Sequence, residues 1–308
     1  DSYGKSICRA FPRTWLERHI AGVKAELSPR YSLPLRLKIT PELLYLMGFY
    51  LAEGHAERRY VLISSRDETL RHKVFSALNK LGFRTSVRRN SDICVPSRLL
   101  SALFSTLMGS KAREKHLPPF WVRLSDEQLG ELLRGFFDGD GGVEKEGMAC
   151  ITASRRLAYE LLYALLRLGI WARVRERRVK GRRFWLVSIT GFGNLHAFAR
   201  KIGFSVERKR RALRELLKKK PNTNVDLVPG ISAWVQSMRK TASLTQRGLS
   251  ELLGISRSAV GLYENGRRNP SRAVATALLE VAEEVAPEHA DDLRPLLGVH
   301  WTRAVSYT

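Results

Sequence analysis

Two stretches of the sequence repeat one pattern, and this duplication constrains the fold more than any other feature. They are LLYLMGFYLAEG at 43–54 and LLRGFFDGDGG at 132–142. Each is an apolar run that ends in an acid and a glycine, with small residues recurring four positions apart: Gly48 and Ala52, then Gly135 and Gly139. Positions four apart share one face of a helix. Each run therefore predicts an apolar helix with a stripe of small side chains, through which two helix backbones can approach closely.

The acids that end the two runs, Glu53 and Asp140, lie where a helix disfavours them, because its C-terminus already carries about half a negative charge. If the two helices pack through their small residues, the carboxylates emerge together and repel unless a cation lies between them. Carboxylate oxygens suit Mg²⁺, Mn²⁺ or Ca²⁺ rather than Zn²⁺. The pair therefore predicts a divalent metal site. Two ordinary core helices are the alternative.

The same series of elements follows each predicted helix. In the first copy it is a strand at 60–67, a helix at 68–83, two strands within 84–95 and a helix at 97–109. In the second copy it is a strand at 147–154, a helix at 155–170, two strands within 171–191 and a helix at 194–204. Two α-β-α-β-β-α units of roughly 85 to 90 residues each indicate an internal duplication.

The charge of the chain indicates its partner. Among 308 residues, 53 are lysine or arginine and 30 are aspartate or glutamate, a formal net charge of +23. Phosphate backbones are the commonest partner of such an excess, and an anionic membrane surface is the rival. No apolar stretch approaches ~18 residues, which excludes a spanning helix. In a basic protein, carboxylate-bound Mg²⁺ favours phosphodiester chemistry.

Three cysteines, odd in number and widely spaced, favour a reducing, cytoplasmic environment without disulfides or zinc. We therefore expect an intracellular, nucleoid-associated protein. Few thermolabile side chains and many arginines are typical of a thermophilic source.

The heptapeptides GFYLAEG and GFFDGDG resemble the dodecapeptide motifs of the LAGLIDADG homing endonucleases, specifically the single-chain type embedded in archaeal inteins. Three positions of the family pattern are matched in both copies, namely its first glycine, its final catalytic acid and its last glycine: Gly48 and Gly135, Glu53 and Asp140, Gly54 and Gly141. The earlier acid of the family is present as Asp138 but is Leu51 in the first copy, so we expect Asp138 to be a surface or salt-bridge residue. The resemblance covers roughly residues 33 to 204.

This resemblance implies an α+β fold of two pseudo-symmetric repeats, 41–124 and 125–205, with curved antiparallel sheets packed through the motif helices of a monomer. It implies hydrolysis of both strands of a long asymmetric double-stranded DNA target with Mg²⁺, for which Mn²⁺ or Ca²⁺ substitutes. The implied catalytic metal ligands are Glu53 and Asp140, joined by the backbone carbonyl oxygens of Ala52 and Gly139.

The peptide KHLPPF at 115–120 resembles the lysine-x-aliphatic-proline motif of intein endonucleases, whose lysine lies in the active site. Lys115 is therefore a catalytic candidate that stabilises phosphorane charge or orients the attacking water. A surface lysine is the alternative. We expect a basic counterpart on the strand pair of the second copy, and the sequence leaves Lys180 and Arg182 both open.

Arginines are concentrated in the strand pairs of both copies. Because alternate residues of a strand share a face, Arg173, Arg175 and Arg177 are expected to line one side of a ribbon. Such a ribbon fits the major groove, where arginine pairs with guanine. A solvated strand face is the alternative. The predicted DNA contacts of the two strand pairs are Arg88, Arg89, Arg173, Arg175, Arg177 and Arg183.

Residues 243–271 resemble the helix-turn-helix of phage repressors within a predicted domain at 231–290. Thr245 is expected to cap a helix starting at Gln246, whose side chain approaches the DNA backbone. Leu249, Leu252 and Leu253 are expected to face inward, with Gly254 forming the turn. Ser256 is expected to cap the recognition helix, and the residues expected at the bases are Ser256, Arg257 and Ser258.

The helix predicted at 207–220, within a linker at 206–230, is basic nearly all round and is interpreted as a phosphate-tracking segment that includes Arg208 and Arg211.

Residues 1–40 are interpreted as a leader, and the tail at 291–308 resembles the strand that follows the endonuclease insert of inteins. The chain begins with Asp1 and ends without the His-Asn pair of splicing, so we expect the endonuclease region of an intein whose splicing halves lie elsewhere. A non-catalytic sequence-specific DNA-binding regulator and an RNA-splicing maturase are the alternatives. Two intact acids favour the enzyme over the regulator, and a reader of duplex DNA argues against the maturase.

Overall fold

The computed structural model describes residues 38–88, 92–219 and 226–299. The chain divides into two compact units, Asp1–Lys220 and Pro221–Thr308. Arg89, most of the predicted leader and the end of the tail lie outside the described residues. Within the described ranges, no helix combines the length and the apolar character needed to cross a membrane.

The first repeat begins with the predicted apolar helix. Its elements are α1 Pro41–Glu53, β1 Gly54–Glu57, β2 Tyr60–Ile63, α2 Glu68–Lys80, β3 Ser86–Val87, β4 Ile93–Val95 and α3 Arg98–Met108. Thr40 caps α1 by accepting a hydrogen bond from the backbone N–H of Leu43 at 3.2 Å, with Pro41 at the first helical position. Both features are typical of a helix start and are visible in the sequence.

The second repeat follows a short 3₁₀ helix at Pro119–Arg123. Its elements are α4 Asp126–Asp140, β5 Gly142–Val143, β6 Gly147–Thr152, α5 Arg155–Arg167, β7 Ala172–Val179, β8 Arg182–Thr190 and α6 Phe192–Lys201, after which comes the basic helix α7 Glu207–Leu217. A capping box starts α4, with Ser125 and Gln128 each bonded to the backbone of the other.

Each repeat forms a four-stranded antiparallel sheet with the same strand order, β1-β2-β4-β3 and β5-β6-β8-β7. This confirms the α+β fold with two duplicated repeats. Each described repeat contains one strand more than predicted, since β1 and β5 follow directly on the motif helices. These strands have four and two residues, which is too short for an alternating pattern to show in the sequence.

The helices α1 and α4 pack through their small residues at backbone distance. A Cβ atom added to Gly48 would overlap the carbonyl oxygen of Leu132, and one added to Gly135 would overlap that of Tyr45. At Gly139 an added Cβ would lie 2.5 Å from the Cβ of Ala52. One continuous hydrophobic core spans both repeats around this helix pair.

The second unit is helical and has its own core. Its helices are α8 Ser232–Thr241, α9 Gln246–Leu252, α10 Arg257–Glu264, α11 Arg272–Val285 and α12 Ala290–Leu297, with a 3₁₀ turn at Pro287–His289. Thr245 and Ser256 cap α9 and α10 as predicted, and Gly254 turns the chain with φ of 61°. Leu252 was expected to face inward but is 57% exposed, because Leu249 and Leu253 already occupy the inner face.

Candidate active site and DNA interface

The two acids meet at one end of the helix pair. Glu53 is the last residue of α1 and Asp140 the last residue of α4. A Cβ atom on Gly139 would lie 3.1 Å from the Cγ of Glu53. The residue directly before the second acid therefore contacts the first acid. Burial, and then the charge of Glu53, raise the pKa of Asp140 to about 7. Burial also raises the pKa of Glu53.

A lysine from α7 reaches this helix end. The Nζ atom of Lys209 donates to the carbonyl oxygens of Phe137 at 3.1 Å, Asp138 at 2.6 Å and Gly139 at 3.4 Å. Its charge acts against the burial that raises the pKa of both acids. The electrostatics of the acid pair require a cation, and here an ammonium group supplies positive charge. The sequence placed Lys209 only within a uniformly basic helix.

Lys115 is the corresponding lysine of the first repeat. Its side chain is 3% exposed, and its Nζ atom donates to the carbonyl oxygen of Tyr50 at 3.2 Å. The same atom lies 3.2 Å from the centroid of the Tyr50 ring. Burial lowers the pKa of Lys115 to about 6. Ser154, which caps α5, donates to the carbonyl oxygen of Lys115 at 2.6 Å and so fixes its backbone.

The two lysines make equivalent contacts. Tyr50 is the third residue before Glu53, and Phe137 is the third residue before Asp140. Each of these carbonyl oxygens accepts a hydrogen bond from a lysine that follows its own repeat in the chain. Each motif helix therefore has one lysine on the carbonyl oxygen three residues before its acid, and it is Lys209 whose charge acts on both acids.

Lys180 and Arg182, the two candidates for the second basic residue, lie elsewhere. Lys180 and Gly181 form the tip of the β7–β8 hairpin, with φ of 49° and 74°. Arg182 is the first residue of β8. Ser188, near the other end of this strand, lies in the row of paired residues that crosses β6 to the start of β5, next to the second acid. At ~3.3 Å per residue this separates Arg182 from that row by about 20 Å. The structure therefore does not bring either residue to the acids, and the lysine at the end of α4 comes from α7 rather than from the expected strand pair.

Asp138 was expected at the surface or in a salt bridge, and this expectation is wrong. Its side chain is fully buried, accepting hydrogen bonds from the Tyr45 hydroxyl and the Ser205 backbone N–H, both at 2.9 Å. It lies on the face of α4 that is turned toward α1 and the segment before α7. Asp138 therefore joins the two repeats through neutral donors.

The donor set fits a divalent cation that retains other ligands. In the described parts of the chain, no three or more acidic, histidine or cysteine side chains lie close enough together to hold a metal ion. The site offers the carboxylates of Glu53 and Asp140 and the carbonyl oxygens near Ala52 and Gly139. Mg²⁺ commonly binds one or two carboxylates and completes its shell with water and phosphate oxygens. Burial is the largest cause of the raised pKa of both acids, and the positive charge of Lys209 opposes it only in part.

The predicted arginine row lies on one face of the second sheet. Arg173, Arg175 and Arg177 are exposed alternate residues of β7, paired with Ser188, Leu186 and Phe184 of β8. Arg183 has the opposite orientation, since it pairs with Arg178 and forms an ion pair with Glu176 at 3.5 Å. In the first sheet the guanidinium group of Arg88 lies 4.6 Å from the centroid of the Tyr60 ring.

The remaining predicted contacts lie on helices. Arg208 and Arg211 are exposed on α7. Arg257 and Ser258 are exposed at the start of α10, where the Ser258 hydroxyl lies 3.0 Å from that of Ser256. The side chain of Gln246 is already engaged, because its amide donates to Glu264 at 2.7 Å.

Comparisons with known proteins locate two families in the chain. The model of the LAGLIDADG-like domain matches residues 127–203, and that of the helix-turn-helix matches residues 235–285. The chain is 33% identical over 213 residues to a replication factor C small subunit of Methanocaldococcus jannaschii, covering 65% of this chain and 11% of that protein. It is 34% identical over 224 residues to the same subunit of Thermococcus kodakarensis, covering 67% and 25%.

A third relative is the replicative DNA helicase DnaB of Rhodothermus marinus, at 30% identity over 220 residues, covering 65% and 22%. The chain thus spans a quarter or less of these three relatives. Among solved structures, I-DmoI in complex with DNA and Ca is similar at a TM-score of 0.45 and 12% identity, covering 57% of this chain and 98% of that one. Full-length DUF199/WhiA from Thermatoga maritima is similar at a TM-score of 0.42 and 14% identity, covering 84% and 91%. The chain therefore contains a LAGLIDADG-like domain followed by a helix-turn-helix domain.

Proposed function

We propose that this chain is a site-specific homing endonuclease that hydrolyses both strands of duplex DNA with a divalent metal ion and acts inside the cell as a monomer. The acid pair carries this proposal. Two carboxylates from distant parts of the sequence meet at the ends of two helices whose backbones touch. This arrangement is electrostatically unfavourable without a cation, and it occurs in a chain with a formal charge of +23.

The residues of the chain divide the chemistry between them. Glu53 and Asp140 would hold Mg²⁺, for which Mn²⁺ or Ca²⁺ substitutes, with the carbonyl oxygens of Ala52 and Gly139. Such an ion, when bound, activates water and stabilises the departing 3′ oxygen. Lys209 places an ammonium group beside the end of α4, where it stabilises charge on the reacting phosphate. Lys115, whose pKa burial lowers to about 6, orients water through its amine. Because each repeat supplies one acid and one lysine, each repeat serves one strand.

The target is read by several surfaces. The arginine row of β7 enters the major groove, and Arg88 serves the first sheet in the same way. Arg208 and Arg211 follow the phosphate backbone, and the start of α10 presents Arg257 to base edges. A single helix-turn-helix has no symmetric partner in a monomer, so it extends an asymmetric target.

The relatives of the chain support an inserted element. They include a replication factor C small subunit, a probable translation initiation factor IF-2 and a DNA helicase, whose named roles differ. In each of them the similar segment spans a quarter or less of the protein. A segment shared by such different proteins does not belong to the activity of any one of them. We propose that it is the endonuclease region of an intein.

A DNA-binding regulator without cleavage is the second candidate, and the helix-turn-helix match favours it. The two acids at adjoining helix ends favour the enzyme, since a scaffold that only binds DNA does not require two carboxylates to be buried next to each other.

Substitution of the acids tests the proposal. Glu53→Gln and Asp140→Asn are expected to retain affinity within about twofold for a target selected from a randomised duplex library. Cleavage with Mg²⁺ or Mn²⁺ is expected to fall by about 10³-fold or more. Glu42→Gln, at the opposite end of α1, is the matched control and should cleave normally. Unchanged cleavage in both acid variants would refute the assignment, and a wild-type chain that binds but never cuts would establish the regulator.

A further inference from the structure

A second basic site lies apart from the acid pair, in a cavity of about 850 Å³ between α2 and the segment from α6 to α7. Four cationic side chains and one carboxylate line it: Lys73, Arg134, Arg210, Arg214 and Glu207. All five belong to the first unit. None of them is a residue of the candidate active site, because α7 directs Lys209 to the acids and other positions to the cavity.

Lys73 is the most unusual residue of this cavity. It is half-buried, its ammonium group donates to the Ser205 hydroxyl, and it lies 3.8 Å from the centroid of the Tyr45 ring. Within the described ranges, no carboxylate forms a salt bridge with it. Burial lowers the pKa of Lys73, the carboxylates of Asp138 and Glu131 raise it in part, and the guanidinium groups of Arg134 and Arg210 lower it by a smaller amount. A half-buried cation with cationic neighbours is stabilised by an anion beside it.

One internal carboxylate serves two of the arginines. Glu207 contacts Arg210 at 2.9 Å and also Arg214. The other lining surface includes the apolar side chains of Phe204 and Leu213. Guanidinium groups bind phosphate oxygens through paired hydrogen bonds, and an apolar wall accommodates the organic part of a phosphate ester.

We propose that this cavity binds a phosphate-bearing ligand through Lys73, Arg210 and Arg214. Two sources supply this chemistry, a free nucleotide and the phosphodiester backbone of DNA. The cavity is large enough for a nucleotide, since pockets for small molecules measure about 300–1,000 Å³. The inference does not depend on the proposed nuclease function, because binding is measured with EDTA present and without cleavage.

The first test compares Lys73→Met with Lys80→Met in the full chain. Both residues lie on α2, but Lys80 is exposed and pairs with Glu42 at 3.0 Å. Calorimetric titration with ATP reports the free nucleotide, and titration with a duplex of arbitrary sequence reports the DNA backbone. If the cavity binds nucleotides, ATP binds with a Kd of about 1 mM or tighter, and Lys73→Met weakens it about tenfold. Lys80→Met should leave the Kd within about twofold of wild type.

If the cavity binds DNA, ATP shows no binding, but Lys73→Met weakens duplex affinity and reduces the salt slope by about 0.9. Lys80→Met should change neither quantity. Equal behaviour of the two variants toward both probes would overturn the proposal.

A second pair of variants keeps Lys73 and tests the site through an expected gain, rather than a loss, of affinity for the probe. Glu207→Gln removes the carboxylate that pairs with Arg210 and Arg214, so it should lower the Kd of the probe by about threefold or more. Glu215→Gln, on the same helix, makes the same charge change but releases only Lys218, its exposed partner at 2.8 Å. An equal decrease in Kd for both variants would show that only the net charge of the protein matters, and it would overturn the proposed site.

Discussion

Lys209 shows how much a single position in a basic helix can matter. Arg208 and Arg211 are exposed on α7, whereas Lys209 shares a face with Leu213 and Leu216, which are buried. The spacing of four and three residues places these positions together. Helical periodicity could therefore have separated Lys209 from its neighbours. The carbonyl oxygens that it contacts come from α4, and no local pattern in the sequence reveals that contact.

Replacement of Lys209 by methionine should slow cleavage of one strand. The substitution removes the ammonium group beside Asp140 and leaves Lys115 in place, so we expect one strand to be cut about 10²-fold more slowly and the other near the wild-type rate. Strand-specific nicking of an end-labelled duplex measures the difference. Lys218→Met removes an exposed charge from the same helix and serves as the control. An equal loss on both strands would contradict the pairing of one lysine with each acid.

The raised pKa of Asp140 predicts a pH-dependent stability. Its folded pKa of about 7 lies above its ordinary value of 3.8, so the folded state keeps a proton that the unfolded state loses. This contribution to stability is present below pH 3.8 and is lost as pH rises toward 7. In EDTA, Asp140→Asn should therefore be more stable than wild type at pH 8, by about 1–3 kcal/mol.

Urea unfolding of wild type and Asp140→Asn at pH 5 and pH 8 measures this difference, which should be smaller at pH 5. Added Mg²⁺ should stabilise only the wild type at pH 8. A difference that does not change with pH would show that Asp140 is an ordinary exposed carboxylate.

Helices with long periodic patterns were predictable, and short strands were not. The bounds of α1 and α4 followed from Thr40, Ser125 and the terminal glycines, because caps and small-residue stripes are local signals. The strands β1 and β5 are defined by pairing with β2 and β6, and nothing in four or two residues encodes a partner. Lys115 was found from a resemblance, whereas Asp138 was misplaced, because its donors come from distant segments.

The close contact of α1 with α4 predicts that one methyl group added between the helices strongly lowers the stability of the fold. Gly135→Ala would set a Cβ atom against the carbonyl oxygen of Tyr45, a backbone atom that cannot move without separating the helices. We expect a loss of about 2–4 kcal/mol in the free energy of unfolding, despite the better helix propensity of alanine. Thermal or urea unfolding measures it.

Gly193→Ala in α6 is the matched control for this helix contact. No atom lies within 4 Å of an added Cβ at Gly193 among the described residues, so this variant should be neutral or slightly stabilised. Similar losses in both variants would indicate that the helix pair tolerates a wider separation.

The two units differ in what they contribute. The acids and their lysines all belong to the first unit, whereas the second unit contains the helix-turn-helix. The predicted division at 206–230 into a linker remains a prediction about organisation. The target sequence could not be predicted, because base contacts depend on side-chain geometry against DNA and on the bendability of the DNA itself.

Removal of the second unit should weaken binding and leave the chemistry intact. We expect a chain that ends at Lys220 to bind its target less tightly, with a salt slope that flattens by about 0.9 for each lost phosphate contact. Cleavage at saturating protein should persist, since the acid pair is retained. Fluorescence anisotropy at several salt concentrations measures the slope. Equal affinity and slope for the two chains would show that the second unit does not contact DNA.

The ammonium group among the helix-end carbonyls has a consequence for the order of events in the cell. A catalytic centre held together only by its metal would come apart whenever that metal left. Here the contact of α1 with α4 and the shared core hold both repeats together without a metal, and Lys209 supplies positive charge at one helix end, so the proposed nuclease, when depleted of Mg²⁺, should still bind its target. In the proposed nuclease, target recognition and strand cleavage are then separate steps, and only cleavage depends on the concentration of free Mg²⁺.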